Sequence, residues 1–215
     1  MQEQIKDKGI IIKAEPIGEY DRRVVILTEN RGKISAFARG ARRPNSKFVA
    51  TTNPFVFANI SLFVGRNSYT LTDMETVEYF DSLRLDLDKS MYGMYFLELA
   101  DYYTRENNDD KDMLKLLFVS LKALSRGLID NRLIRAIYEL RAVTVNGEFP
   151  GLDLKNLSET AKYSVNYITS ADFSRLYSFT LKEEVMQEVI DYSKLVVDKM
   201  IHHTFNSLLL LEISV

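Results

Sequence analysis

Arg23-Val24-Val25-Ile26-Leu27-Thr28-Glu29-Asn30-Arg31-Gly32-Lys33-Ile34-Ser35-Ala36-Phe37-Ala38 decides the fold of this chain. Its first arm is β-branched and apolar, and its middle holds the Asn and Gly that a tight hairpin connection needs. The second arm alternates, with Ile34, Ala36 and Ala38 on one face and Lys33, Ser35, Phe37 and Arg39 on the other. Two antiparallel strands follow from this pattern, one face buried and one facing out. Upstream, Ile5 to Ala14 reads as another strand, ended by Pro16-Ile17-Gly18. Downstream, Pro54 to Val64 and Ser68 to Glu78 form a further pair joined at Gly65-Arg66-Asn67. Five strands with one long charged connection in about 80 residues predict a small β-barrel.

The pattern then turns helical. From about Asp86, Met91, Met94, Tyr95, Leu97 and Tyr102 form an apolar stripe. Asp109-Asp110 opens a second helix that stops at Arg126-Gly127, and a third runs from about Asn131 to Asn146-Gly147. After the turn Glu148-Phe149-Pro150-Gly151, Ser158-Glu159 and Ser170-Ala171-Asp172 are expected to open two short helices. A long helix is expected from Lys182 to Phe205, with Val185, Val189, Tyr192, Val196 and Met200 on one side. The expected class is α+β: a five-stranded barrel over residues 1–80 and an α-helical domain over 81–215.

Charge is segregated along this order. Between Arg22 and Arg66 stand nine cations and one acid, Glu29, a net of +8 in a chain of net charge −2, so the rest carries −10. The densest part is Ala38-Arg39-Gly40-Ala41-Arg42-Arg43-Pro44-Asn45-Ser46-Lys47. Such a loop suits phosphate contact better than core packing, although a solvated loop that keeps the barrel soluble has the same composition. Arg22, Lys33 and Arg66 on the strand ends extend the cations beyond the loop. Phe37, Phe48 and Tyr69 are candidate stacking surfaces, as in oligonucleotide-binding barrels, with Phe48 the more natural core residue. A flexible loop of this kind would hold a strand without reading base edges.

Catalytic patterns are missing. The sequence has no G-x-x-x-x-G-K-[ST] loop and no G-x-G-x-x-G after a strand. Its two histidines, His202 and His203, are adjacent on the expected last helix, so they point roughly 100° apart and cannot share an ion. Asp86/Asp88 and Asp109/Asp110 sit at helix starts, where capping accounts for them. Zero cysteines remove disulfides, thiolate metal sites and cysteine nucleophiles, and fit a reducing cytoplasm. No apolar run reaches the ~20 residues that span a bilayer, and the first residues lack a secretory apolar core. Binding rather than catalysis is expected, with no cofactor. The run Leu208-Leu209-Leu210-Leu211 is apolar on every side, and part of it is expected to complete a groove or meet a partner.

Gly18-Glu19-Tyr20-Asp21-Arg22, Val24 to Thr28, Gly32-Lys33-Ile34, Ala38 to Arg43, Ser46-Lys47 and Pro54-Phe55 together resemble the bacterial DNA recombination and repair mediators called RecO. Tyr138-Glu139-Leu140, Asn146 to Pro150 and Leu176 to Phe179 resemble the helical part of that family. The resemblance implies an oligonucleotide-binding (OB) barrel followed by helices. It implies a cytoplasmic, nucleoid-associated protein that binds single- and double-stranded DNA and anneals complementary strands. It further implies recombinase loading with RecR and single-strand-binding protein, without a nucleotide. Arg39, Arg42, Arg43 and Lys47 match the family's basic loop and would contact phosphates, with Arg22 and Lys33 as neighbours. Many members carry two C-x-x-C pairs after the Gly-x-x-Pro turn as a zinc site. This chain has none, so zinc is not expected. The acidic, apolar-ended tail of single-strand-binding protein would want a cation beside leucines, and Arg175, Lys194 or Lys199 could supply it. A protein adaptor whose basic barrel face binds an acidic partner is the competing reading, and an RNA-binding barrel a third.

Overall fold

The computed structural model describes residues 3–66, 68–151 and 154–213; Asn67, read as part of a turn, lies outside them. Five strands close into a barrel in the order β1-β2-β3-β5-β4: β1 (Gln4–Ile17), β2 (Asp21–Thr28), β3 (Gly32–Ala38), β4 (Phe57–Val64) and β5 (Tyr69–Glu78). β1 continues through Pro16, three residues past the expected end, because its second half is the pairing partner of β2, from Gly9↔Thr28 to Ile17↔Asp21. Its first half pairs with β4, from Gln4↔Phe63 to Ile10↔Phe57. A register shift between Ile11 and Lys13 bends the strand from one partner to the other, as bulges do in closed barrels.

The hairpin read from sequence has the register Thr28↔Gly32, Ile26↔Ile34 and Val24↔Ala36. Gly32 stands at φ +60, where a side chain is strained, and an added Cβ would come within 2.2 Å of the Arg105 carbonyl oxygen. The alternating residues fill the barrel: Ile11, Val24, Ile26, Ile34, Ala36, Ile60, Leu62 and Leu71 are all at most 2% exposed. Parallel pairing of β3 with β5, Ala36↔Tyr69 and Phe37↔Thr70, closes it. Pro54 and Phe55 precede β4 as a turn, and a short helix the sequence did not announce, α1 (Phe48–Thr51), lies in the β3–β4 connection.

The helices are α2 (Asp81–Leu85), α3 (Leu87–Tyr103), α4 (Lys111–Arg126), α5 (Asn131–Val145), α6 (Glu159–Ser170), α7 (Glu183–Met200) and α8 (Asn206–Ile213). Two compact units result. One is the chain through Asp81 together with Leu97–Leu114; the other is Ser82–Phe96 with the chain from Lys115 on. In the first unit the segment after α3 is stitched to the β2–β3 hairpin: the Lys33 N–H donates to the Arg105 carbonyl (3.0 Å) and the Asn107 N–H to that of Arg31 (3.0 Å).

In the second unit α5 is buried along Leu133, Ile134, Ile137, Tyr138, Leu140 and Val143. Tyr138 stacks on Phe96 at 4.2 Å and donates its hydroxyl to the Phe96 carbonyl. Glu139, 2% exposed, accepts from Tyr95 Oη, Arg135 Nε and Ser193 Oγ, each at 2.8 Å, which joins α3, α5 and α7.

Three helical expectations are corrected. Ser170-Ala171-Asp172 opens a turn rather than a helix: Asp172 Oδ1 takes the Ser174 N–H, and the Arg175, Leu176 and Ser178 N–H groups bond three residues back. The last long helix ends at Met200, and Ile201 is extended at φ −113, ψ 104. Its buried face is Met186, Val189, Tyr192, Ser193, Val196 and Val197, with Val185 and Met200 only half-buried. His202 and His203 are therefore exposed in the connection to α8, not on a helix. The four-leucine run does divide by face: Leu211 is 3% exposed, Leu209 and Leu210 are open to solvent.

Candidate nucleic-acid interface

The basic loop is pinned, not loose. Ala41 and Phe48 are buried among the barrel residues, so both ends of the loop are anchored in the core. Between them, the Ala41, Arg43, Ser46 and Val49 N–H groups each bond the carbonyl three residues back, a chain of consecutive turns. The β1–β2 connection holds its outer side. Gly40 N–H donates to Asp21 Oδ1 (2.7 Å), Arg42 N–H to the Tyr20 carbonyl (2.8 Å) and Arg42 Nη1 to the Gly18 carbonyl (3.2 Å). The Arg43 guanidinium lies 5.1 Å from the centre of the Tyr20 ring.

Arg39, Arg42 and Arg43 are exposed, and none forms an ion pair with a carboxylate among the described residues. Lys47 is exposed too, paired with Asp73 at 2.6 Å, and that bond holds the Asp73 carboxyl below its usual range. An exposed pair of this kind contributes little and exchanges readily for a phosphate. Arg22 plays a different part. Its Nη1 donates to the Val49 carbonyl (3.3 Å), Thr52 Oγ1 (3.0 Å) and Asn53 Oδ1 (2.9 Å), clamping α1 and the turn after it to β2. Burial, and secondarily the charge of Arg42, lower its pKa.

Lys33 and Arg66 do not join this cluster. Lys33 is at the opposite end of β3 from Arg39, roughly 20 Å away at about 3.3 Å per residue. Its Nζ is bound by Asp101, at 2.7 Å to Oδ1 and 2.6 Å to the carbonyl. Because β3 and β5 run parallel from Ala36↔Tyr69, the turn bearing Arg66 lies on the side where β3 enters, and the basic loop leaves from the other. Arg66 is exposed there. Arg23 bonds Ser35 Oγ on the outer face of the sheet (2.8 Å).

The candidate platforms are equally uneven. Phe48 is 7% exposed and belongs to the core. Tyr69 is half-buried, its hydroxyl pushed up in pKa by burial and then by Glu106, which it bonds. Phe37 is half-buried on the outer face of β3, between Arg23 and Thr70 in register. Tyr20, not among the expected stacking residues, is the exposed aromatic at the arginine cluster; its place in a loop between two strands was the available signal.

In the helical unit a cavity of about 860 Å³ is lined by Arg135, Glu139, Asp191, Lys194 and Leu211 among others. Of the three cations expected to meet a partner tail, only Lys194 lines it. Lys199 is exposed in the last turn of α7 and Arg175 is exposed in the Asp172 turn. Among the described residues no group of acids and histidines could hold a metal ion, and no helix is long and apolar enough to cross a membrane.

A closed five-stranded barrel with a cationic β3–β4 loop beside its β1–β2 loop, followed by helices, defines an oligonucleotide-binding-fold protein with an appended helical domain. Residues 1–80 match the family described as Recombination protein O N terminal, and 84–155 the Recombination protein O C terminal. The DNA repair protein RecO of Acetivibrio thermocellus is 30% identical over 218 residues, 86% of this chain and 87% of that protein. Those of Alkaliphilus metalliredigens and Symbiobacterium thermophilum are 34% and 36% identical over 148 and 144 residues, spanning 60% and 57% of their lengths. The chain belongs to the recombination protein O family.

Proposed function

We propose that this chain is a DNA-binding mediator of recombination in DNA repair, a binding protein rather than an enzyme. The observation that carries the reading is the set of three exposed arginines, Arg39, Arg42 and Arg43, on a loop fixed to the barrel and without carboxylate partners among the described residues. Cations that an ion pair has not already satisfied attract a polyanion and release its counterions on binding. No base edge is read by such contacts, so a held strand keeps its pairing face free, and annealing needs no nucleotide.

In this reading single- and double-stranded DNA are the ligands, and the protein acts at the nucleoid in the cytoplasm. RecR and single-strand-binding protein are the partners, with the recombinase filament reached through them. The cavity beside Lys194, with Leu211 on its wall, supports a role for the helical unit in receiving the acidic tail of single-strand-binding protein. An anisotropy titration with a labelled oligonucleotide at about 50 mM salt tests the reading, since phosphate-dominated binding is strong there. Tight binding that weakens steeply with added salt is expected. A folded protein that does not bind belongs with adaptors for acidic proteins, and a clear preference for RNA makes it an RNA-binding barrel.

A further inference from the structure

We propose that Tyr20 is the residue on which an unpaired base of the bound strand stacks, and that it sets the preference for single strands over duplex; this rests on the nucleic-acid reading above. Tyr20 sits between β1 and β2, in the connection that oligonucleotide-binding barrels turn toward their ligand. Its carbonyl accepts the Arg42 N–H, and the neighbouring Asp21 carboxylate accepts that of Gly40, so the backbone beneath the ring is tied to the basic loop. The ring itself is not packed away: the residue is 42% exposed. Ile17 and Val49, at 37% and 38%, add open apolar surface at the same end, Ile17 opposite Asp21 in register and Val49 at the Arg22 clamp.

Exposed apolar surface beside guanidinium groups that pair with no carboxylate among the described residues suits a nucleotide better than water, because the two halves of a nucleotide are a flat apolar base and an anion. The Arg43 guanidinium over the ring carries that match to atomic scale. A cation on one face of an aromatic ring leaves the other for a base, and the same cation reaches the adjoining phosphate. Other barrel aromatics are worse placed. Phe48 and Phe55 are buried at 7% and 3%, Tyr69 is engaged with Glu106, and Phe37 and Phe57 are half-buried on strands. In a duplex every base already stacks on its neighbours, so only an unpaired base gains from the ring.

The chain has no tryptophan, so Tyr20→Trp in the full-length protein gives a single indole reporter at the site. Three probes are titrated: oligothymidine, an abasic sugar–phosphate oligomer of the same length, and a duplex. Indole emission should be quenched by oligothymidine and unmoved by the abasic oligomer, even where anisotropy shows that both bind. Tyr20→Ala should lose about tenfold or more in affinity for oligothymidine with its salt slope unchanged and its affinity for the abasic oligomer intact, while Tyr20→Phe, which keeps the ring, should bind as the parent does. Equal quenching by both single-stranded probes, or parental oligothymidine affinity in a folded Tyr20→Ala chain, overturns the assignment. Should the parent chain bind none of the three probes, the nucleic-acid reading falls, and Tyr20 with it.

Discussion

Replacing Arg39, Arg42 and Arg43 together by glutamine should flatten the salt dependence of oligonucleotide binding. Each phosphate contact with a single strand adds roughly 0.7 to the slope of log affinity against log salt, so three lost contacts lower it by about 2. Between about 50 and 200 mM salt the parent should then lose about twentyfold more affinity than the triple variant. The fold gives no reason for the substitution to unfold the barrel. The contacts removed are one exposed 3.2 Å bond from Arg42 to Gly18 and the Arg43–Tyr20 ring contact, together worth about 1–2 kcal/mol. Lys33→Gln is the control that makes the number meaningful, because Lys33 has the same formal charge but is held by Asp101 with its side chain 21% exposed. Its slope should match the parent. Anisotropy titrations at four or five salt concentrations, with circular dichroism for folding, give both slopes. A triple variant with the parental slope, or a Lys33→Gln slope reduced as much as the triple, would refute the argument that availability rather than number of cations matters.

Arg22→Ala should behave as the loss of a clamp: three hydrogen bonds, partly solvated, cost about 1–2 kcal/mol in urea unfolding, with affinity falling while the salt slope holds. A parental urea midpoint with a reduced slope would make Arg22 a direct phosphate contact instead. Glu139→Ala should cost about 2–4 kcal/mol, because it removes the buried acceptor of three hydrogen bonds, from Tyr95, Arg135 and Ser193, and calorimetry that finds a change under about 1 kcal/mol would show the network to be dispensable. For Asp110, burial lifts the carboxyl above its usual range despite the Arg105 N–H bond that opposes it. Its folded form therefore binds a proton more tightly than its unfolded form. The penalty for ionisation is present above the folded pKa and disappears as pH falls through it. Asp110→Asn should accordingly be more stable than the parent at neutral pH, with the gap closing in acid, and a gap that widens in acid would contradict the sign.

The barrel was legible because its signals are local. Alternation in Lys33 to Ala38, the Asn-Arg-Gly turn and the Gly/Pro-punctuated basic loop each occupy a few residues, and each became the expected element. What stayed hidden depends on residues far apart in sequence. Nothing near Lys33 announces Asp101, 68 positions on, and nothing near Arg22 announces Asn53. The overlong last helix has a local cause missed in the reading: Ile201, His202, His203, Thr204 and Phe205 are all modest helix formers, and the apolar period alone carried the expectation past them. Tyr20 carries a weak local signal: it is a lone aromatic in the β1–β2 loop, and only the bond from the distant Arg42 N–H to its carbonyl sets it beside the arginines.

The division of the cations bears on mechanism more than their number does. A stretch of +8 looks like one polyanion track, yet the register separates Arg66, Lys33 and Arg31 from the basic loop, Asp101 neutralises Lys33, Arg23 is bonded to Ser35, and Arg22 is built into the scaffold. What is left for a strand is compact: Arg39, Arg42 and Arg43, with Lys47 available by exchange from Asp73. Their backbone is already ordered by Ala41 and Phe48 in the core and by the bonds to Gly18, Tyr20 and Asp21, so binding orders only side chains. That saves entropy relative to a loose basic tail of equal charge. It also limits the grip to a few phosphates. Under the proposed DNA-binding role, a grip of that size would hold a strand at low salt and still release it to a competing complementary strand, whereas a continuous track of nine free cations would hold on.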